Sequence, residues 1–163
     1  MAGRLSTLFS YLDSDAAIDE VARLLWPGGS EVKVITVIEM PILPAIEPPV
    51  WPNYLDEVER AFRERAEAII KGALLKLRTG ECKTLKVTGE ILRGGAKQVI
   101  LDEAESWGAD LIVVGSRGLG ALDRFLLGSV SHAVAQHAKC SVEVVRRSSE
   151  MSDRERKAVV VRE

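Results

Sequence analysis

Residues 109–131 run Ala109-Asp-Leu-Ile-Val-Val-Gly115-Ser-Arg-Gly118-Leu-Gly-Ala-Leu-Asp-Arg-Phe125-Leu-Leu-Gly128-Ser-Val-Ser131, and this stretch decides the fold. Ala109 to Val114 is short, fully apolar from Leu111 and stopped by Gly115, the pattern of a strand covered on both faces. From Ser129 the period changes. Val130, Ala133, Val134 and Ala138 recur at three and four residues, the stripe of a helix with one buried side. A strand, a glycine-rich turn and a helix make the repeating unit of a parallel α/β sheet.

The same alternation extends upstream. Val32 to Ile38 is β-branched and apolar, bounded by Trp26-Pro27-Gly28-Gly29 before and Pro41 and Pro44 after. Thr84 to Ile91 alternates more cleanly, as nearer a sheet edge. Val142, Val144 and Val145 mark a further strand after the last helix. Between these lie helical stripes: Ile18, Val21, Ala22 and Leu25 after Asp15; Leu55, Val58, Phe62, Ala66, Ile69, Ala73 and Leu77; and Ala96, Val99, Ile100, Ala104 and Trp107, closed by Gly108. A helix from Tyr54 to Leu77 would be about 36 Å long, longer than the sheet it covers. Right-handed crossovers then favour an α/β fold, an open parallel sheet with helices on both faces. Glu39 to Pro52, with five prolines, reads as a surface loop. One α/β domain is expected over 1–147. The charged tail, 148–163, ends Ala158-Val-Val-Val161, which reads as an extra edge strand or a frayed terminus.

The chain has 163 residues, 47% hydrophobic and 28% charged, with a net charge of -2. These values exclude a disordered or collagen-like chain and give no general attraction for nucleic acid or an anionic membrane. No apolar run approaches the ~20 residues of a membrane span, and the first residues lack the pattern of a signal peptide, so a cytoplasmic protein is expected. Cys82 and Cys140 have no metal-ligand spacing.

Strand four ends at Gly115, and the last helix begins near Ser129. A helix start leaves N–H groups unpaired and carries partial positive charge, so it accepts phosphate oxygens. Gly128 has no Cβ to block approach, and the Ser129 and Ser131 hydroxyls can add hydrogen bonds. Gly115 and Gly118 would let the chain turn and expose further amides, and Arg117 could supply charge. Against this, glycines often end strands and Ser129 could be a simple N-cap. Three glycines and a hydroxyl residue at these separations favour an anion-binding loop.

With the spacing Gly-x2-Gly-x9-Gly-Ser, the chain resembles the universal stress protein family from about Ala17 to Arg146, supported by Ser30 to Glu39, Gly108 to Ser116 and Phe125 to Ser131. The resemblance implies five parallel strands in a Rossmann-like order, 3-2-1-4-5, with a ligand crevice at the switch point between strands 1 and 4. In ATP-binding members the motif loop holds ribose and phosphates, and Gly115, Gly118, Gly128, Ser129 and Val130 inherit that role. Val37 fits the valine of strand 2 that contacts adenine, and can be an ordinary buried residue at the same time. The resemblance also implies ATP with Mg2+ as ligands, and a homodimer formed through the last strand.

The first strand departs from the family. Its usual Asp-Gly-Ser ending, whose aspartate helps hold adenine, is absent. A gap-free alignment makes Arg4 to Leu8 the strand and removes the carboxylate. The favoured alternative deletes about four residues, close to one helical turn, making Thr7 to Leu12 the strand with Asp13 at its tip. Asp13 equally reads as a helix cap.

No catalytic set presents itself. There is no Gly-x4-Gly-Lys phosphate loop. His132 and His137 point about 140° apart on their helix and read as exposed or core-edge residues. Glu103 with Glu105, and Glu57 with Glu59, read as solvated helix charges, and Cys140 as a small buried hydrophobe. The expected function is that of a nucleotide-binding regulatory protein that takes ATP or AMP, with slow ATP hydrolysis ranked below it. The competing expectation is a ligand-independent dimeric scaffold that has lost adenine recognition.

Overall fold

A computed structural model of the chain describes residues 4–9, 14–40, 54–79, 85–116 and 127–146. The elements alternate throughout: β1 (Arg4–Phe9), α1 (Ser14–Arg23), β2 (Glu31–Ile38), α2 (Tyr54–Thr79), β3 (Lys86–Arg93), α3 (Ala96–Trp107), β4 (Leu111–Gly115), α4 (Ser129–His137) and β5 (Ser141–Val145). The proline-rich stretch expected as a loop lies outside the described residues beyond Met40, as does the tail after Arg146. The strands pair in the order β3-β2-β1-β4-β5, and each of the four pairings is parallel.

β1 corrects the favoured reading of the first strand. It begins at Arg4, three residues before Thr7, and pairs Arg4 with Glu31 through Phe9 with Thr36 on one side and Leu5 with Leu111 through Thr7 with Val113 on the other. Arg4 to Leu8 is a poor buried strand by composition. Backbone donors and acceptors must nonetheless be paired wherever a chain is inserted between two others, and a two-sided ladder satisfies them whatever the side chains prefer. The strand β3 likewise sits two residues later than Thr84 to Ile91, because its register matches every residue of β2, from Glu31 opposite Lys86 to Ile38 opposite Arg93.

Strand alternation sends side chains to two cores. On one face Val32, Val34, Val87 and Val113 meet Ala17, Ile18 and Val21 of α1 and Ile70, Ala73 and Leu77 of α2. On the other, Ile35, Val37, Ile112 and Val114 meet Ala96, Ile100 and Ala104 of α3 and Val134 of α4. α1 stops at Arg23, so Leu25 falls outside its stripe and is 91% exposed. α2 has 26 residues, about 39 Å, against about 26 Å for an eight-residue strand. Its buried residues accordingly start at Ala66, while Leu55 is exposed. α2 also lies close to β3 at Gly89, where a Cβ would come within 2.5 Å of Ile70 Cγ2. Gly108 ends α3 in the left-handed region, φ 69°, with its N–H directed to the carbonyls of Ala104 and Glu105.

Three of the expected solvated charges take part in ion pairs, Glu105 with Lys139 among them, and of the three only Glu103 is largely withdrawn from solvent. Lys33 of β2 donates to Glu103 of α3 at 2.6 Å and to Glu90 of β3 at 3.1 Å, with the Trp107 ring 5.7 Å from its Nζ. Burial alone would lower the Lys33 pKa, but these two carboxylates outweigh it and raise it above 10.5. Glu59 of α2 pairs with Arg93 of β3 and with Arg63.

Glu143 of β5 is half-buried, and burial, followed by the charge of Glu20 on α1, raises its pKa above the ordinary 4.5. The folded chain therefore holds this proton more tightly than the unfolded chain, and the contribution to stability is lost as pH rises from about 4.5 through the raised value. Glu143→Gln is expected to gain stability relative to wild type across that window and to match it below pH 4. Urea unfolding from pH 4 to 8 checks this, and parallel pH profiles would refute it.

Candidate functional site

Parallel pairing sets the C-terminal ends of all five strands along one edge of the sheet, and the turn after β4 lies there. Three bonds position it. The Ser116 N–H donates to the Val145 carbonyl at 2.7 Å, the Gly128 N–H donates to the Ser116 carbonyl at 2.8 Å, and the Ser131 hydroxyl donates to the Gly115 carbonyl at 2.6 Å. The first turn of α4 is thereby fastened to the ends of β4 and β5.

Gly128 is the N-cap of α4, with φ −59° and ψ 149°. Its carbonyl accepts the His132 N–H at 2.9 Å, the first bond of the helix. No side chain caps the helix, and no acidic residue occupies its first turn. The amides that follow Gly128 are the ones a helix start leaves without intrahelical acceptors, and they carry the positive end of the helix dipole. This arrangement alters two sequence expectations. The Gly128 N–H is engaged by Ser116, so it is the amides from Ser129 onward that can meet an anion. Ser131 is 4% exposed, and its hydroxyl proton is directed at Gly115, which makes it a clip between helix and strand.

Gly115, Gly128, Ser129, Val130 and Ser131 are thus brought to one place. Ser129 is exposed, and Val130 packs half-buried against the same cluster that contains Val37, Val114 and Val134. Val37 is 7% exposed and belongs to the core under α3 and α4. Arg117, Gly118 and Asp13 lie outside the described residues. Two polar side chains at this edge were passed over in the motif: Ser116 and Thr36, each 2% exposed. Their sequence signal was a hydroxyl directly after the strand-ending glycine, and a lone threonine in the apolar run Val34 to Ile38.

The opposite end of the sheet has a different character. A cavity of about 220 Å³ there is lined by Leu101, Ala104, Ile112, Ala138 and Cys140, among others. Cys140 is half-buried there, and burial, with the Asp110 charge, raises its thiol pKa above 9.0. Glu105, His137 and Lys139 also line the cavity, which lies at helix C-termini rather than at a helix start and so presents carbonyls where the start of α4 presents amides. His132 and His137 are both exposed. Among the described residues no group of three His, Cys, Asp or Glu is placed to hold a metal ion, and no helix is long and apolar enough to cross a membrane.

The chain is similar to known proteins over most of its length. The universal stress protein family model matches residues 12–146. A universal stress protein of Bacillus subtilis is 34% identical over 96 residues, covering 58% of this chain but only 62% of that relative. A putative universal stress protein of Staphylococcus epidermidis is 30% identical over 146 residues, covering 85% of this chain and 86% of the relative. Among solved structures, a universal stress protein from Lactobacillus plantarum superposes with a TM-score of 0.68 at 24% identity, covering 90% of this chain and all of that one. A family protein from Arabidopsis thaliana with AMP bound gives 0.61 at 17%, covering 90% and 93%. A universal stress protein in complex with cAMP gives 0.61 at 21%, covering 89% and 98%. The structural likenesses show a shared fold. Taken with the family-model match and the Staphylococcus relative, they lead to one conclusion: the chain belongs to the universal stress protein family.

Proposed function

We propose that the chain is a nucleotide-binding regulatory protein, taking ATP or AMP at the C-terminal edge of β1 and β4 and acting through contacts with a second copy or another protein. The observation that carries this reading is the uncapped start of α4, which has no acid in its first turn and is held against β4 by the Gly128 and Ser131 hydrogen bonds. Such a start attracts phosphate, and the bonds hold its amides in place before any ligand arrives. In the Rossmann-like order β3-β2-β1-β4-β5 the direction of winding reverses between β1 and β4, where open α/β sheets take their ligands. Two fold neighbours, one with AMP and one with cAMP, support the same class of ligand.

The residues present fit a nucleotide. The amides after Gly128 would meet the phosphates, with Gly115, Arg117, Gly118 and Ser129 around them, while Val37 and Asp13 would stand toward the base. Ser131 positions the turn without touching the ligand. Mg2+ would arrive coordinated by the phosphates of ATP, since none of the described residues forms a cluster for it. In this reading the bound nucleotide serves as a signal whose occupancy changes what the surface presents.

A homodimer is the second part of the reading. β5 pairs only with β4 among the described residues, so its outer edge offers backbone groups to another strand. A second copy adding its own β5 would satisfy them. Dimerisation without any ligand, the scaffold reading, is the outcome if the crevice binds nothing.

Three measurements check these points. Isothermal titration with ATP and Mg2+ is expected to give saturable heat, which Gly128→Val abolishes while leaving the circular dichroism spectrum unchanged, because φ −59° and ψ 149° are open to valine. Unchanged affinity in that variant would move the site elsewhere. Ser131→Ala removes the 2.6 Å bond to Gly115 and is expected to cost about 1–2 kcal/mol, a fall in Tm of about 3–6 °C; an unaltered Tm would remove its role as a clip. Light scattering is expected to show a dimer both for the full chain and for a chain ending at Arg147, and a monomer in both would refute pairing through β5.

A further inference from the structure

Among the described residues β5 is paired on one side, by β4. Two hydrogen bonds show which of its backbone groups that pairing uses. The Ser141 N–H donates to the Asp110 carbonyl at 3.2 Å, and the Val145 carbonyl accepts the Ser116 N–H at 2.7 Å. In a strand the backbone groups of successive residues turn alternately to the two sides. Ser141, Glu143 and Val145 therefore direct theirs to β4, and the N–H and C=O groups of Val142 and Val144 face outward.

A second copy related by a two-fold axis lays its β5 antiparallel along this edge, and the residue on the axis meets itself. One register pairs all the outward groups within the strand: Val142 with Val144 of the second copy, and Val144 with Val142 of the second copy, each pair exchanging both bonds. Setting either valine on the axis leaves the other to find a partner beyond the strand end. The fully paired register puts Glu143 opposite Glu143 of the second copy. Such a central pair has no hydrogen bonds between its backbones, its Cα atoms approach to about 4.5 Å, and its side chains share one face.

That face is the one under α1. Glu143 stands beside Val113 of β4, which belongs to the core beneath α1 and α2. α1 packs against β5 and brings the charge of Glu20 to Glu143, with Arg23 bonded to Glu20 at 2.5 Å. Elsewhere on α1, Asp19 is held by Lys76 of α2, and Asp15 stands in the first turn. α4 packs against β5 from the opposite face, where Val142 and Val144 lie, and its His132 and His137 are exposed.

We propose that the β5 edge is a proton-linked interface between two copies of the chain, in which the two Glu143 carboxyls meet on the axis and share a proton taken up from water as the dimer forms. The proposal rests on the β5 pairing put forward above and adds its regulation. Two bare carboxylates directly opposite each other repel, whereas a carboxylic acid and a carboxylate can hydrogen-bond. In the single chain, burial and then the charge of Glu20 already raise the Glu143 pKa above 4.5. A second copy adds further burial and a further like charge, and both act in the same direction. The dimer therefore binds more protons than two separate chains, so association weakens as pH rises.

Sedimentation equilibrium of the full chain from pH 5 to pH 8 tests this. The dissociation constant of wild type is expected to rise about tenfold across that range. Glu143→Gln is expected to show no such slope and to associate about tenfold more tightly than wild type at pH 8. In an equal mixture of wild type and Glu143→Lys at pH 8, native mass spectrometry is expected to show the heterodimer above its statistical share, because opposite charges then meet on the axis. Equal dissociation constants for wild type and Glu143→Gln at every pH, or statistical mixing with Glu143→Lys, would overturn the Glu143 pair and leave the β5 interface standing. Wild type and Glu143→Gln that both stay monomeric at pH 5 and pH 8 would remove the interface itself, and this proposal with it.

Discussion

The parallel hydrogen-bond ladder is the constraint on which the rest of the structure depends. Each of the four strand pairings is parallel, so every strand must be followed by a crossover, and every helix begins at the edge where the preceding strand ended. β1 bears most of this constraint. It is laddered on both sides and joins the β3-β2 half to the β4-β5 half, so the reversal of winding occurs beside it. The composition of Arg4 to Phe9 would not have selected it for the middle of a sheet. Its position follows from backbone groups that must be paired on both sides.

Packing turns that edge into a defined surface. The side chains of β2 alternate between two helix layers, with Val32 and Val34 under α1 and α2, and Ile35 and Val37 under α3 and α4. Lys33 joins β2, β3 and α3 through two carboxylates. α2 is longer than the strands beneath it, so its first turns project past the sheet at the edge where β2 ends. Packing on both faces fixes the end of β4 and the start of α4, and the Ser131 clip ties the two together. Preorganised amides of this kind bind an anion without first having to be ordered.

The two ends of the sheet differ in electrostatics as well as in shape. At the C-terminal edge an uncapped helix start presents positive charge beside the buried, unpartnered Ser116 hydroxyl. At the other end, the C-terminal turns of α3 and α4 line a hollow of mixed character, in which Glu105, His137 and Lys139 stand beside Leu101, Ile112 and Cys140. The helix dipoles by themselves favour an anion at the first end over the second.

Much of this was legible in the residues. The period changes located the helices and the parallel strands. Ala96 to Trp107 closed by Gly108 was legible to the residue, because a helix stripe and a left-handed cap are local properties of the chain. The start of α4 was legible for the same reason. Less accessible was anything set by pairing at a distance. The choice of Arg4 over Thr7 to begin β1, the two-residue shift of β3, and the burial of Thr36 all depend on ladder register, and register is a property of two strands together. The Gly128 amide and the Ser131 hydroxyl looked free in the motif, yet in the fold both are bonded to the end of β4. Sequence determined which segments would be helix or strand and where the last helix would start, since periodicity and glycine act locally. Tertiary structure alone decided that the Gly128 amide and the Ser131 hydroxyl would be bonded and the Ser116 hydroxyl left without a partner, because hydrogen-bond partners are assigned only when distant strands and helices meet.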